Sequence, residues 1–162
     1  MLSVAVLGSL EVTRDGRPLK VPSGKTAELV VRLALVAGEL VRADRLVEEL
    51  WADEGAHARR NTLQSKITML RRAVGDPPVI TSHDGGYALA VDPSDVDALA
   101  ALAAATTAAE MVESGDDVGA AGLCASTLRL YRGDVLPAAG DLVVTVGAVV
   151  SSAVVSKTTS TQ

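Results

Sequence analysis

Cysteine occurs once in the 162 residues, as Cys124, so no internal disulfide can form. Histidine is nearly as scarce, and neither His57 nor His83 stands with Cys124 at a zinc-ligand spacing. No metal and no cofactor are expected. Long apolar runs are also missing, and the start, MLSVAVLGSLEV, lacks both the basic segment and the small-residue cleavage site of a secretory signal. A cytoplasmic protein without a membrane partner is expected. Ser23-Gly24-Lys25-Thr26 has the ending of a phosphate loop, but the first glycine of that motif belongs at position 19, which is Leu19. Neither histidine belongs to a recognisable triad, so no enzyme is expected.

The net charge of -5 argues against a polyanionic partner until it is divided along the chain. Residues 1–92 hold 12 basic and 12 acidic residues, and residues 93–162 hold 3 and 8. The acidity therefore belongs to the second part. Within the first, the stretch from Arg59 to Arg72 carries Arg59, Arg60, Lys66, Arg71 and Arg72 with no acidic residue, a local footprint that suits a polyanion. The length allows one ordinary domain, or a domain of about 100 residues plus part of a second.

Short β-type runs open the chain: LSVAVLG, LEVTR, then RPLKVP after the hairpin signal Asp15-Gly16. A small antiparallel sheet is predicted. Ser23 can cap a helix from about Gly24 to Ala37, striped by Leu29, Leu33 and Val36 and stopped by Gly38. A second helix fits Ala43 to Trp51, with Trp51 in the core, and Asp53 to Arg59 read as a polar loop.

The third helix, from about Arg60 to Val74, is the most informative segment. Leu63, Ile67, Leu70 and Val74 recur at i, i+4, i+7 and i+11 and define a buried face. Opposite it fall Asn61, Ser65, Thr68, Met69 and Arg72, flanked by Gln64 and Arg71. Amides, hydroxyls and guanidinium groups on one exposed face match base edges and phosphate oxygens. Lys25, at a helix start where backbone N–H groups attract anions, is placed for a phosphate. VITSHDGGYALAV, residues 79–91, forms two β-like runs around Asp84-Gly85-Gly86 and is predicted to be a hairpin wing, with Tyr87 packing it against the third helix.

From Asp95 the composition turns Ala-rich, and two helices are predicted, from about Val96 to Glu113 and from about Val118 to Tyr131, with Cys124 as a small core residue. Residues 142–162 are nearly uncharged and aperiodic. They are expected to be an anomalous tail, of the kind a frameshift or truncation produces, and prone to β-type aggregation.

Several words of the sequence are specific: LGSLEVTRDGRPLKVPSGKTAELVVRLAL, RADRLVEELW, RNTLQSKITMLRRAVGD, GGYALAVDPSDVDA and YRGDVLPAAGD. Residues 2 to about 141 resemble the streptomycete antibiotic regulatory proteins. The resemblance implies an α+β winged helix-turn-helix of the OmpR type over residues 1–92, with an N-terminal antiparallel sheet, three helices and a wing. It implies part of an all-α bacterial transcriptional activator domain, similar to tetratricopeptide repeats, over residues 93–141. It also implies a transcription activator that binds double-stranded DNA at promoter direct repeats, as a homodimer, and recruits RNA polymerase.

Carried over by position, the third helix lies in the major groove with Arg60, Asn61, Gln64, Ser65, Thr68, Arg71 and Arg72, and the wing, with His83, reaches the minor groove. The loop with Asp53, Glu54, His57 and Arg59 faces the polymerase. The chain departs from the pattern at Met69, where the family often has arginine, and at Ser82, His83 and Asp84, where the wing often carries one. The alternative is a shortened member that acts mainly as a protein-interaction module with weak or no DNA binding.

Overall fold

The structure, a computed structural model, describes residues 1–51, 56–75 and 77–134, with the backbone alone for 56–60. Strands β1 (Leu2–Ala5), β2 (Glu11–Arg14) and β3 (Arg17–Leu19) form an antiparallel sheet in the order β1-β2-β3. Its second connection is the two-residue turn Asp15-Gly16, with both φ values positive (51° and 74°), as a type I′ hairpin turn requires. Alternation within β1 turns Leu2 and Val4 into the core.

Helix α1 (Lys25–Ala34) follows, then a two-residue strand β4 (Val41–Arg42), α2 (Ala43–Leu50) and α3 (Ala56–Val74). Strands β5 (Ile80–His83) and β6 (Gly86–Leu89) make the wing, and β4 completes its sheet in the order β4-β6-β5. A single core cluster joins Leu29 and Leu33 of α1, Leu46 and Leu50 of α2, and Leu63, Ile67, Leu70 and Val74 of α3 with the inner faces of both sheets. Trp51 is buried in it. All four residues of the expected α3 stripe are buried, which is the amphipathic packing their spacing calls for.

After a 3₁₀ turn (Pro93–Asp95), helices α4 (Asp97–Glu113) and α5 (Asp117–Leu128) pack on one another. Asp116 caps α5 by accepting from the Gly119 N–H at 2.9 Å. The pair is fastened to the N-terminal sheet. Val96 is fully buried and forms a parallel bridge with Val4. The Asp97 carboxylate accepts from the N–H groups of Val6 (2.7 Å) and Leu7 (3.0 Å), just past the end of β1. Arg132, beyond α5, donates its N–H to Leu7 O at 2.7 Å and its guanidinium pairs with Glu11 and approaches Asp97.

Four local expectations need correction. Ser23 does not cap α1: the N-cap is Gly24, at φ 70°, with no side-chain cap bond, because this positive φ favours glycine. The expected loop over 53–59 does not extend to Arg59, since Ala56 to Arg59 already belong to α3. That places His57 and Arg59 on the helix, while Asp53 and Glu54 lie outside the described residues. Without an apolar repeat, Ala56 to Arg60 gave no periodic sign of helix. Cys124 is exposed on α5, not a core residue. Last, α1 stops at Ala34 rather than Ala37. The tail lies outside the described residues.

Candidate nucleic-acid interface

Helix α3 presents its polar side away from the core. Asn61, Gln64, Ser65, Thr68, Met69 and Arg72 are exposed, while Leu63, Ile67 and Leu70 behind them are at most 2% exposed. The two sets sit on opposite sides of one helix because the apolar positions recur every three to four residues. Within the exposed set, the Thr68 hydroxyl donates to Gln64 O at 2.9 Å, leaving its lone pairs to accept from a partner. Arg72 makes no hydrogen bond or ion pair among the described residues and stands as a free cation beside these polar groups.

The wing stands beside this face. Its tip is a second two-residue I′ turn, Asp84-Gly85, at φ 46° and 73°. Gly86 belongs to β6 rather than to the turn. A Cβ there would stand 2.6 Å from Val41 O, so only glycine lets β4 come close enough to pair Arg42 with Gly86. The Ala43 N–H then donates to Gly85 O at 2.9 Å, tying the start of α2 to the wing tip. A groove of about 510 Å³ opens between the start of α2, α3 and the wing, with Arg42, Gln64, Ser82, His83 and Tyr87 on its walls. Tyr87 is half-buried and packs against the core cluster.

Not every expected residue joins this surface. Gln64 and His83 meet in the groove, and Asn61, Ser65, Thr68 and Arg72 share the exposed side of α3. Arg60, His57 and Arg59 lie on α3 where only the backbone is described. Lys25 is in the first turn of α1, outside the groove, with its ammonium 2.8 Å from Glu28. Arg71 is half-buried and directed at the wing: its Nε donates to Ile80 O at 3.0 Å and its Nη2 to Ser82 Oγ at 3.2 Å. His83 Nδ1 lies 3.5 Å from Asp84 Oδ2, a long contact at an exposed tip.

Arg42 is a groove residue that helix and strand patterns do not single out. It is exposed at the N-cap of α2, and its place becomes visible only through the pairing of β4 with β6. The carboxylates of Asp44 and Asp84 share the groove and temper its positive charge. Behind it, Arg32 on α1 and Arg45 on α2 both hydrogen-bond to Glu49. Burial pushes the Glu49 carboxyl up, but the bonds from the two guanidinium groups outweigh it and hold its pKa below the ordinary glutamate value.

Residues 18–89, from β3 to the end of the wing, match the family described as Transcriptional regulatory protein, C terminal. Over this stretch the chain is similar to transcriptional regulators. It is 30% identical over 136 residues to the regulatory protein AfsR of Streptomyces coelicolor, covering 83% of this chain and 14% of that protein. It is 29% identical over 147 residues to the transcriptional regulator RedD of the same organism, covering 86% of this chain and 42% of RedD. To the regulatory protein DnrI of Streptomyces peucetius it is 29% identical over 145 residues, covering 83% of this chain and 53% of DnrI. The chain thus spans about half or less of the length of these relatives.

The resemblance to streptomycete antibiotic regulatory proteins holds. A solved structure of Mycobacterium tuberculosis EmbR, in complex with a low affinity phosphopeptide, superposes with a TM-score of 0.77 at 24% identity. It covers 97% of this chain and 42% of that one, and supports the winged helix-like α+β fold. Among the described residues, no helix is long and apolar enough to cross a membrane, and no group of three or more His, Cys, Asp or Glu could hold a metal.

Proposed function

We propose that the chain binds promoter DNA as a transcription regulator, with α3 in the major groove and the wing over the neighbouring backbone and minor groove. The observation that carries this reading is the exposed side of α3. Asn61, Gln64, Ser65, Thr68 and Arg72 offer amide, hydroxyl and guanidinium groups from a helix locked in place by its buried stripe. An α-helix fits the width of the major groove. Arg42, on the wall between α2 and the wing, is placed for a phosphate.

The rest of the reading follows the family. Residues 1–92 act as the DNA-binding domain, and α4 with α5 begin an activator domain of tetratricopeptide-like helices within residues 93–141. Asp53, Glu54, His57 and Arg59, around the start of α3, face RNA polymerase, and two copies bind direct repeats. The protein works in the cytoplasm and catalyses no reaction.

The test is salt-titrated binding of the full chain to upstream DNA fragments. Neutralising Z phosphates lowers log K against log salt concentration with a slope of about -0.9Z. Arg72→Ala is expected to relax specificity by about 1 to 3 kcal/mol at one base pair if it meets guanine, or to reduce the slope by about 1 if it meets phosphate. Arg42→Ala is expected to reduce the slope by about 1 on every sequence. No measurable binding across the panel overturns the reading. It would favour a protein-interaction module, for which Met69 on the exposed face and a wing tip without arginine speak.

A further inference from the structure

The family resemblance gives Arg71 to the DNA. Its geometry points elsewhere. In the order β4-β6-β5, strand β5 is an outer strand, and its far edge has no strand partner among the described residues. Val79 O accepts from the Ala90 N–H at 2.7 Å, so the next carbonyl of the extended chain, Ile80 O, faces away from β6. That carbonyl receives Arg71 Nε at 3.0 Å, and two residues further along β5 the Ser82 hydroxyl receives Nη2 at 3.2 Å. Two donors of one rigid guanidinium fork thus hold two acceptors of one strand. The side chain is half-buried between helix and wing, in contrast with the exposed Arg72 beside it.

We infer that Arg71 is a positioning residue that fixes the wing against α3 and covers the open edge of β5, and that it acts on DNA through the wing without touching it. The inference rests on the DNA-binding reading for its effect on affinity, but not for its effect on the wing. A phosphate contact needs only a charge, which lysine keeps. The double contact needs the planar fork, which lysine lacks. Covering the edge with a side chain also removes a template for pairing with another strand.

Hydrogen exchange of the free full chain and salt-titrated DNA binding test this together. Arg71→Ala and Arg71→Lys are both expected to speed exchange of the β5 and β6 amides by about 3- to 10-fold, as loss of one or two hydrogen bonds implies. Exchange in α1 and α2 stays unchanged. DNA affinity should fall by a similar factor for both variants, with the salt slope unaltered. Ser82→Ala, at an exposed position that does not threaten folding, is expected to give a smaller rise of about 2-fold. Combined with Arg71→Ala, it should add nothing.

Wild-type wing exchange and affinity in Arg71→Lys would overturn the inference. So would a slope reduced by about 1 in Arg71→Ala while the wing stays protected. If the unaltered chain binds no DNA, the binding reading fails alone, and the exchange of the wing amides still decides what Arg71 holds.

Discussion

The winged part and the helical pair bury their side chains to different depths. In the first, Leu29, Leu33, Leu46, Leu63, Ile67 and Leu70 are all essentially buried in one cluster. In the second, the buried residues of α4 and α5 are Ala101, Ala108 and Ala120, while Val118 is 87% and Leu128 68% exposed. Burial stabilises by about 25 cal/mol per Å² of apolar surface, so leucine contributes far more than alanine where both are covered. The winged part therefore carries the larger share of the stability. The helical pair depends on its fastening at Val96, Asp97 and Arg132, and should open locally before the rest unfolds.

The largest effect should come from a charge in the deep cluster. Leu63→Asp or Ile67→Asp is expected to cost at least about 4 kcal/mol and to abolish the cooperative thermal transition followed by circular dichroism. Either variant melting like the parent would mean that α3 faces the other way. Next, Leu29→Ala should cost about 2 to 5 kcal/mol, whereas Leu128→Ala, on the open face of α5, should stay within about 0.5 kcal/mol. Equal losses in urea titrations would erase the contrast between the two parts.

Smaller still is the fastening. Asp97→Ala removes the acceptor of the Val6 and Leu7 N–H groups and a neighbour of Arg132, at an expected cost of about 1 to 3 kcal/mol. The loss should show as faster amide exchange in α4 and α5, with α1 and α3 still protected. Uniformly faster exchange would make the two parts one cooperative unit.

The smallest expected effect is on pH dependence. The Glu49 pKa is lowered in the fold, so its contribution is fully present above the unfolded-state value and is lost as pH falls through the folded one. The urea midpoint should drop on acidification below the ordinary glutamate range, and Glu49→Gln should make that drop shallower. An identical acid profile in Glu49→Gln would show that the bonds from Arg32 and Arg45 are of no consequence there.

Much of this arrangement was legible in the sequence where one residue type at a fixed spacing decides the outcome. The α3 stripe, both Asp-Gly turns and the break between α4 and α5 follow from local pattern. What escaped has a different physical origin. Val41 and Arg42 are too few to show alternation, and they are a strand only because Gly86 admits them. The bonds of Asp97 to Val6 and Leu7 join residues about 90 positions apart, and the turn of Arg71 toward the wing depends on where β5 ends up. The exposed position of Cys124 shows the same limit: a stretch of small residues has too weak a pattern to say which side of a helix is covered.

That cysteine has a practical consequence. Because it is the single thiol of the chain and stands exposed on α5, a maleimide dye or nitroxide label would attach at one defined place without any prior substitution. Paired with a label at the end of a short duplex, it would turn the reach of the helical pair over bound DNA into a distance measured on the native sequence.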